Sequence, residues 1–159
     1  MRCDAAQFSQ MYAAVYQDLY RYALCMMKNA QDAEDAVSDA VLAAFENIDK
    51  LKNPDAFRSW IFTITANVCR KKLKALSKKL ENETEVTETV DGSHHEDWGV
   101  SIDVQNAFFI LTEEEKEIVG LSVFGGYNSK EIGEILSINA NTVRSKRSRA
   151  LEKMEKLLK

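Results

Sequence analysis

The stretch NSKEIGEILSINANTVRSKRSRALEKMEKLLK, residues 128–159, predicts two helices joined by a short turn. Asn128 and Glu131 have the spacing of a capping box, in which each side chain bonds the backbone N–H of the other, so the first helix is expected to begin there. An apolar stripe at helical spacing follows at Ile132, Ile135 and Leu136. Residues 137–139 interrupt this stripe, because Ser and Asn compete locally for backbone hydrogen bonds. The pattern is typical of a helix-turn-helix, in which the small Gly133 would let the helices approach closely.

The second of these helices is strongly basic. Residues 142–159 carry seven basic and two acidic side chains, on a chain whose net charge is −4. Ser145, Ser148 and Arg149 share one face by helical spacing. Short hydroxyls beside an arginine suit base edges in a DNA major groove, where arginine can form two hydrogen bonds to guanine. The alternative is a solvated face whose basic residues are favoured by the helix dipole.

Composition limits the fold class and the compartment. The 159-residue chain has one proline and no strand-like alternation of β-branched residues, which predicts an all-α protein. Cys3, Cys25 and Cys69 are odd in number and far apart, which favours reduced thiols in a cytosol over a disulfide or zinc framework. The chain shows no long apolar run and no signal peptide, so we expect a cytoplasmic protein without direct membrane insertion.

Three helices are expected in the first part of the chain, over residues 5–28, 32–48 and 54–77. Aromatic residues and methionines form a stripe along the first helix, and core packing explains this stripe best. The second helix carries an acidic stripe that includes one leucine: Asp35, Asp39, Leu42 and Glu46. Such a stripe is usually a solvated face, and it also has the form of a docking surface for a basic partner helix.

The third helix has a clear start signal and becomes basic toward its end. Asn53 is a suitable cap, and Pro54 is tolerated in a first turn. Residues 67–79 include six basic and no acidic side chains. Because this block has no local counter-charge, it suits a phosphate backbone. An outward polar-to-basic stripe consists of Thr63, Asn67, Arg70, Lys71 and Lys74.

Residues 80–99 differ from both flanks. They are acidic and lack an apolar period, which predicts a flexible linker. The expected architecture is therefore two small helical domains, residues 1–77 and 100–159, joined by a flexible acidic linker at 78–99. His94 and His95 have no companion ligands, so neither a metal site nor a cofactor is expected. In the second domain, a short helix over 100–111 precedes a capping box at Thr112 and Glu115.

Three stretches carry a resemblance to a known family. They are LYRYALCMMKNAQDAEDAVSDAVLAAFENIDKL at 19–51, FRSWIFTITANVCRKKL at 57–73, and LTEEEKEIVGLSVFGGYNSKEIGEILSINANTVRSKRSRAL at 111–151. In this order and with this linker, the whole chain resembles the two-domain sigma factors of bacterial RNA polymerase, the extracytoplasmic-function (ECF) group of the sigma-70 family.

The resemblance implies that the first domain corresponds to region two, which docks on core RNA polymerase and opens the minus-ten promoter element. The implied docking residues are Asp35, Asp39, Leu42 and Glu46. The loop that holds a flipped base would contain Lys50, Lys52 and Asn53. The helix that faces the minus-ten strand would present Thr63, Asn67, Arg70, Lys71 and Lys74.

The resemblance also implies that the second domain corresponds to region four, which reads the minus-thirty-five element. Ser145, Ser148 and Arg149 match its base-facing positions, and Thr142, Arg144 and Lys146 complete the implied upstream contact set. An anti-sigma factor is a further implied partner. The chain departs from the family pattern at Arg147, where relatives usually carry Leu or Ile, and at residues 139–141, where Asn-Ala-Asn replaces Pro-x-Gly.

The function expected from these patterns is promoter recognition and melting together with core RNA polymerase, with no catalysis by the chain itself. A stand-alone helix-turn-helix regulator that binds duplex DNA is the alternative, and it leaves the basic third helix unexplained. An adaptor that acts through protein contacts alone would leave both basic surfaces without a role. The sequence shows no nucleophile–base set and no phosphate loop, so we do not expect an enzyme.

Overall fold

A computed structural model describes residues 5–82 and 101–158, and all regular structure within these ranges is helical. The helices are α1 (Ala5–Met27), α2 (Ala30–Glu46), α3 (Phe57–Asn82), α4 (Ile102–Phe109), α5 (Glu113–Val123), α6 (Ser129–Leu136) and α7 (Ala140–Leu158). Two short 3-10 turns, Ile48–Lys50 and Pro54–Ala56, connect α2 to α3. The all-α prediction is confirmed. No helix within the described ranges is both long and apolar enough to span a membrane.

Helices α1, α2 and α3 form an N-terminal bundle. The stripe predicted along α1 faces its core: Phe8, Val15, Leu19, Tyr22 and Met26 are buried and Tyr12 is half-buried. Asn29 caps α2, since its Oδ1 accepts a hydrogen bond from the backbone N–H of Asp32 at 2.8 Å. Small buried residues along α2 allow close packing against its neighbours: Ala33, Ala36, Ala40 and Ala44.

The observed bounds of α3 differ from the predicted span of 54–77. Asn53 caps the short 3-10 turn at Pro54–Ala56 rather than the α-helix, which begins at Phe57. At the other end α3 continues to Asn82, because residues 78–80 are Lys, Lys and Leu, all good helix formers. The first residues of the predicted linker are therefore helical. Residues 83–100, which make up most of that linker and include His94 and His95, lie outside the described residues.

Helices α4 to α7 form a C-terminal bundle that contains the predicted helix-turn-helix. Both predicted capping boxes are present, one at Thr112 and Glu115 before α5 and one at Asn128 and Glu131 before α6. The turn between α6 and α7 is tight: the Ile138 N–H donates to the Gly133 carbonyl at 2.9 Å. An added Cβ on Gly133 would lie 2.6 Å from the Ile138 carbonyl oxygen, which explains the small residue at this position.

The two bundles pack directly on each other, an arrangement that the sequence did not predict. Buried residues of both bundles belong to one continuous hydrophobic core. Phe62 of α3 meets Tyr127 of the C-terminal bundle edge-on, with ring centres 5.5 Å apart. Tyr22 of α1 lies so close to Gly120 of α5 that an added Cβ there would be 3.0 Å from the Tyr22 ring. The structure therefore joins the halves more closely than a linker alone would.

Candidate nucleic-acid interface

The outer face of α7 presents the residues predicted to read duplex DNA. Ser145, Ser148 and Arg149 are all exposed. The Ser145 hydroxyl donates to the Thr142 carbonyl at 3.3 Å, and Arg144 donates to the Asn141 side chain. Thr142 is half-buried. Since none of the three base-facing candidates is sealed in the core, the geometry leaves them available to a groove.

The inner face of α7 packs through Val143, Ala150 and Met154. Arg147 lies on the same stripe and is half-buried, so its stem can follow the core while its guanidinium reaches water. Arg147 therefore sits in the inward stripe of α7 without interrupting the packing of Val143, Ala150 and Met154. Three further apolar residues of this helix are about half-exposed: Leu151, Leu157 and Leu158.

Two lysines of α7 are engaged by α5. Lys146, one of the predicted upstream contacts, forms an ion pair with Glu114. Lys153 donates to Glu115 at 2.9 Å. Burial opposes ionisation of the Glu115 carboxyl, but hydrogen bonds from Thr112 and Lys153 outweigh it and lower the pKa of Glu115. These contacts fix α7 on α5, and Lys146 must leave Glu114 to neutralise a phosphate fully.

Most of the predicted minus-ten residues are free to meet solvent, whereas others are bonded to or lie against other parts of the protein. Exposed members of the set lie in the α2–α3 loop and along α3: Lys50, Lys52, Asn53, Asn67, Lys71 and Lys74. Asn53 uses its side-chain oxygen to accept the Asp55 N–H at 3.0 Å. Thr63 is half-buried and donates to the Ser59 carbonyl at 2.8 Å. The loop and the outer face of α3 thus remain open, whereas Thr63 sits at the boundary with the C-terminal bundle.

Arg70, another predicted minus-ten residue, contacts the C-terminal bundle. Its Nε and Nη2 lie 3.3 and 3.1 Å from the two carboxylate oxygens of Glu117, and its Nη1 lies 3.3 Å from Asn67 Oδ1. The Glu117 side chain is only 8% exposed. Burial raises the pKa of Glu117, although the Arg70 guanidinium offsets part of this effect. The sequence did not indicate this pair, because its members are 47 residues apart.

An open groove of about 330 Å³ separates α3 from α6. Trp60 and Thr63 line its N-terminal-bundle side. Tyr127, Glu131 and Glu134 line the opposite side. The groove therefore places two carboxylates opposite a helix face for which the sequence predicts a nucleic-acid partner.

The predicted docking stripe of α2 is mostly open. Asp35, Leu42 and Glu46 are exposed, with Leu42 at 59%. Asp39 forms a 2.8 Å ion pair with Lys72 of α3. The hydrogen bond that Lys72 donates to Asp39 raises the pKa of Lys72. Phe45 of the same helix is 46% exposed and, three residues from Leu42, adds apolar area beside it.

Two lysines lie near one aromatic ring where the bundles meet. Lys28 and Lys116 have their Nζ atoms 5.6 and 5.9 Å from the centre of the Phe109 ring. The residue Lys116 is 4% exposed. Burial, and then the positive charge of Lys28, lowers the pKa of Lys116 to about 8.

The substitution Lys116→Met is expected to stabilise the protein more at pH 7 than at pH 9.5. In the unfolded chain this lysine keeps its proton up to about pH 10.5, whereas in the folded protein it loses it near pH 8. Between these values the unfolded state binds more protons, so wild-type stability rises with pH relative to the variant. Urea denaturation measures the free energy of unfolding of both proteins across this range. The advantage of the variant over the wild type should shrink by on the order of 1 kcal/mol from pH 7 to pH 9.5. The exposed substitution Lys130→Met is the control for loss of a positive charge. If the unfolding free energies of wild type and Lys116→Met changed in parallel with pH, the lowered pKa of Lys116 would be contradicted.

No group of three or more potential metal ligands occurs within residues 5–82 and 101–158. The features that stand out in this part of the chain are basic helix surfaces, an acidic stripe and a helix-turn-helix. Together they define the class as an all-helical, helix-turn-helix protein.

Comparison with known proteins identifies the family to which this chain is similar. Residues 11–79 match Sigma-70 region 2, and residues 104–154 match Sigma-70, region 4. The RNA polymerase sigma factor SigV of Bacillus subtilis is 31% identical over 140 residues, which cover 87% of this chain and 82% of SigV. The ECF RNA polymerase sigma factor SigM of Mycobacterium tuberculosis is 26% identical over 98% of this chain and 79% of SigM.

Two solved structures share the fold. The sigma factor RpoE of Bartonella quintana, in complex with the anti-sigma factor NepR, has a TM-score of 0.85 and 22% identity over 97% of this chain and 98% of that chain. CnrH, in complex with the cytosolic domain of CnrY, has a TM-score of 0.71 and 23% identity over 98% and 89% of the two chains. This chain belongs to the sigma-70 family of RNA polymerase sigma factors, in its ECF group. Its function is that of a sigma factor rather than of a stand-alone regulator.

Proposed function

We propose that α3 with the loop before it reads the minus-ten element, that α7 reads the minus-thirty-five element, and that the acidic stripe of α2 docks on core RNA polymerase. One observation carries this proposal. The described chain presents two separate surfaces rich in exposed basic and polar side chains, one on α3 and one on α7. A single DNA-reading module would need only one of them, whereas a factor that spans two promoter elements needs both.

The proposed contacts divide by role. In the N-terminal bundle, Lys50, Lys52 and Asn53 surround the flipped base, while Asn67, Lys71 and Lys74 follow the strand. Extruding a base costs a few kcal/mol, which backbone contacts and a base pocket must offset. In the C-terminal bundle, Ser145, Ser148 and Arg149 face the bases, and Thr142, Arg144 and Lys146 support the phosphate side. Arg70 and Thr63 also belong to the proposed minus-ten set, although in this structure Arg70 is paired with Glu117 and Thr63 is half-buried.

The proposed partners of this chain follow from its family. Sigma factors of this family are initiation factors, and we propose that all catalysis comes from the core enzyme. The proposed docking set is Asp35, Asp39, Leu42 and Glu46 on α2, where carboxylates flank an exposed leucine. We also propose an anti-sigma factor as a partner, since the similar sigma factor RpoE is in complex with the anti-sigma factor NepR and the similar CnrH is in complex with the cytosolic domain of CnrY. The two proposed domains are residues 1–77 and 100–159, with 78–99 as the connection.

Run-off transcription over a randomised promoter library, with and without core enzyme, tests the proposed function. We expect specific transcripts only when core enzyme and this chain are both present, and weak duplex binding by the chain alone. Tight, dimeric binding to duplex DNA in the absence of polymerase would contradict the proposal.

Arg149→Ala is expected to weaken discrimination at one upstream base pair by roughly 1–3 kcal/mol, because a lost bidentate contact to a base is selective for that base. Competition between promoter variants that differ at single upstream positions measures this effect. The matched control is Lys156→Ala, an exposed cation on the same helix. It should weaken binding to all sequences alike and reduce the salt dependence. Equal, sequence-independent losses in both variants would remove Arg149 from the base-reading set.

A further inference from the structure

We propose that Asn141 is a further base-reading residue of α7, and that Arg144 orients the Asn141 amide so that it selects a guanine in the upstream promoter element. Asn141 thereby adds a side chain to the upstream contacts of this helix. The proposal rests on the proposed role of α7 in reading the minus-thirty-five element, and it states which base one part of that helix prefers.

Asn141 lies in the first turn of α7, on the face that carries the base-facing candidates. It precedes Ser145 by four residues and Ser148 by seven, a spacing that places all three on one side of the helix. All three are exposed. In a helix-turn-helix, the first residues of the second helix are those that contact base edges in the major groove. Asn141 is therefore placed to meet a base.

Helix capping does not account for the Asn141 side chain. Asn139 is the cap of α7, since its Oδ1 accepts a hydrogen bond from the Asn141 backbone N–H at 2.8 Å and its carbonyl accepts the Val143 N–H at 3.0 Å. The start of α7 is thus satisfied without the Asn141 amide. In the family pattern given above, glycine stands at this position, so Asn141 presents an amide where that pattern has no side chain.

Arg144 fixes the direction in which this amide faces. Its Nη1 donates a hydrogen bond to Asn141 Oδ1, three residues earlier in the helix. Because a guanidinium has donors and no acceptor, the amide must turn its oxygen toward Arg144. The amide NH₂ group then faces away from Arg144, and residues 5–82 and 101–158 provide no hydrogen-bond partner for it. Asn141 therefore offers a donor to an incoming base.

The neighbouring side chains do not offer the same donor. The Ser145 hydroxyl donates to the Thr142 carbonyl at 3.3 Å, so it has only lone pairs left for a base. Lys146 forms its ion pair with Glu114. Arg144 keeps N–H groups on its other nitrogens, and these can still contact a phosphate. The first turn of α7 thus combines a base-facing donor at Asn141 with a phosphate-facing cation at Arg144.

An amide that can only donate distinguishes guanine from adenine. In the major groove guanine presents two acceptors, N7 and O6, whereas adenine presents N7 beside the N6 amino donor. Asparagine usually reads adenine by using both its oxygen and its NH₂ group. In α7 the Asn141 oxygen is held by Arg144, and an adenine amino group would also face the positive guanidinium. Arg144 therefore changes the preference of Asn141 from adenine to guanine.

Selection of active promoters from a library randomised across the upstream element tests this assignment, with the full-length chain and core RNA polymerase. We expect the wild type to enrich guanine at one upstream position. Asn141→Ala should reduce that enrichment roughly tenfold while the other positions keep their preferences. Alanine favours the helix and Asn139 still caps it, so α7 should stay folded. Asn106→Ala, at an exposed asparagine of α4, is the matched control and should leave every position unchanged.

Arg144→Ala separates the orientation of the amide from the reading of the base. Without the guanidinium, the Asn141 oxygen and NH₂ group are both available, so the preferred base at the same position should change from guanine to adenine. The ratio of the two purines should move by on the order of tenfold. The double variant Asn141→Ala with Arg144→Ala should favour neither purine, because no amide remains.

Loss of the guanine preference in Asn141→Ala, together with its replacement by adenine in Arg144→Ala, supports the proposal. Unchanged preferences in Asn141→Ala overturn it, because the side chain would then be only a local helix contact. An Arg144→Ala variant that is weaker on all sequences alike and keeps guanine also overturns it, because Arg144 would then serve phosphates alone. If the wild type with core enzyme enriched no upstream sequence, the proposed role of α7 would itself be wrong, a result distinct from enrichment that ignores Asn141.

Discussion

Gly133→Ala is expected to disrupt the helix-turn-helix and abolish recognition of the upstream promoter element. An added Cβ at this position would lie 2.6 Å from the carbonyl oxygen of Ile138 and 3.5 Å from the backbone nitrogen of Ala140. Both neighbours are backbone atoms of the turn, which no rotamer change can move away. The clash should cost about 2–3 kcal/mol, more than the roughly 1 kcal/mol that alanine gains over glycine in a helix. Urea denaturation and binding to upstream duplex DNA measure the two consequences.

Ser137→Gly is the matched control in the same turn. Ser137 has a φ of 59°, in the left-handed region that glycine adopts without steric cost. This substitution should leave the turn intact and change stability by less than about 1 kcal/mol, toward greater stability. If Gly133→Ala were as well tolerated as Ser137→Gly, α6 and α7 would not approach as closely as the structure shows.

Phe62→Ala is expected to lower the free energy of unfolding by about 3–5 kcal/mol, a large share of the 5–15 kcal/mol that holds a typical protein folded. The Phe62 side chain is fully buried. Its ring lies 6.0 Å from that of Tyr22 and 5.5 Å from that of Tyr127, so it packs within its own bundle and against the other. Its removal would leave a cavity that rigid helices on both sides cannot close. Urea denaturation followed by circular dichroism gives the magnitude.

Two further variants test whether the loss comes from this position. Phe62→Leu keeps most of the volume and should cost less than half as much as alanine. Phe45 is 46% exposed, and its ring meets that of Phe8 edge-on with the ring centres 5.3 Å apart. Phe45→Ala should therefore lower the free energy of unfolding by less than about 2 kcal/mol. Equal losses for Phe62→Ala and Phe45→Ala would show that the packing between the bundles adds little to stability.

Much of the candidate site could be predicted because it depends on local periodicity. Ser145, Ser148 and Arg149 are spaced to share a helix face, and the structure leaves them exposed together. Asn67, Lys71 and Lys74 behave in the same way on α3. The capping signals at Asn128 and Thr112 were also readable, since a cap bonds to residues only a few positions away.

Other parts of the site depend on long-range packing and gave no local signal. The sequence offered Arg70 and Lys146 as DNA contacts, and both are engaged by glutamates of α5 in the folded chain. The glutamate run in the first turn of α5 is explained locally by the helix dipole. Its sequence therefore gives no sign that Glu114 pairs with Lys146 and Glu115 with Lys153. Trp60 and Tyr127 line a groove that exists only because the two bundles meet.

The sequence by itself determined the helices, the helix-turn-helix and the family, because helical periodicity, capping pairs and charge runs are properties of neighbouring residues. The tertiary structure alone decided how the halves meet. Whether α5 packs on α1, and whether Glu117 reaches Arg70, depends on shape complementarity at Gly120 and on the burial of Tyr22 and Phe62. Those contacts join residues tens of positions apart, and their energies depend on the whole arrangement rather than on any one stretch of the chain.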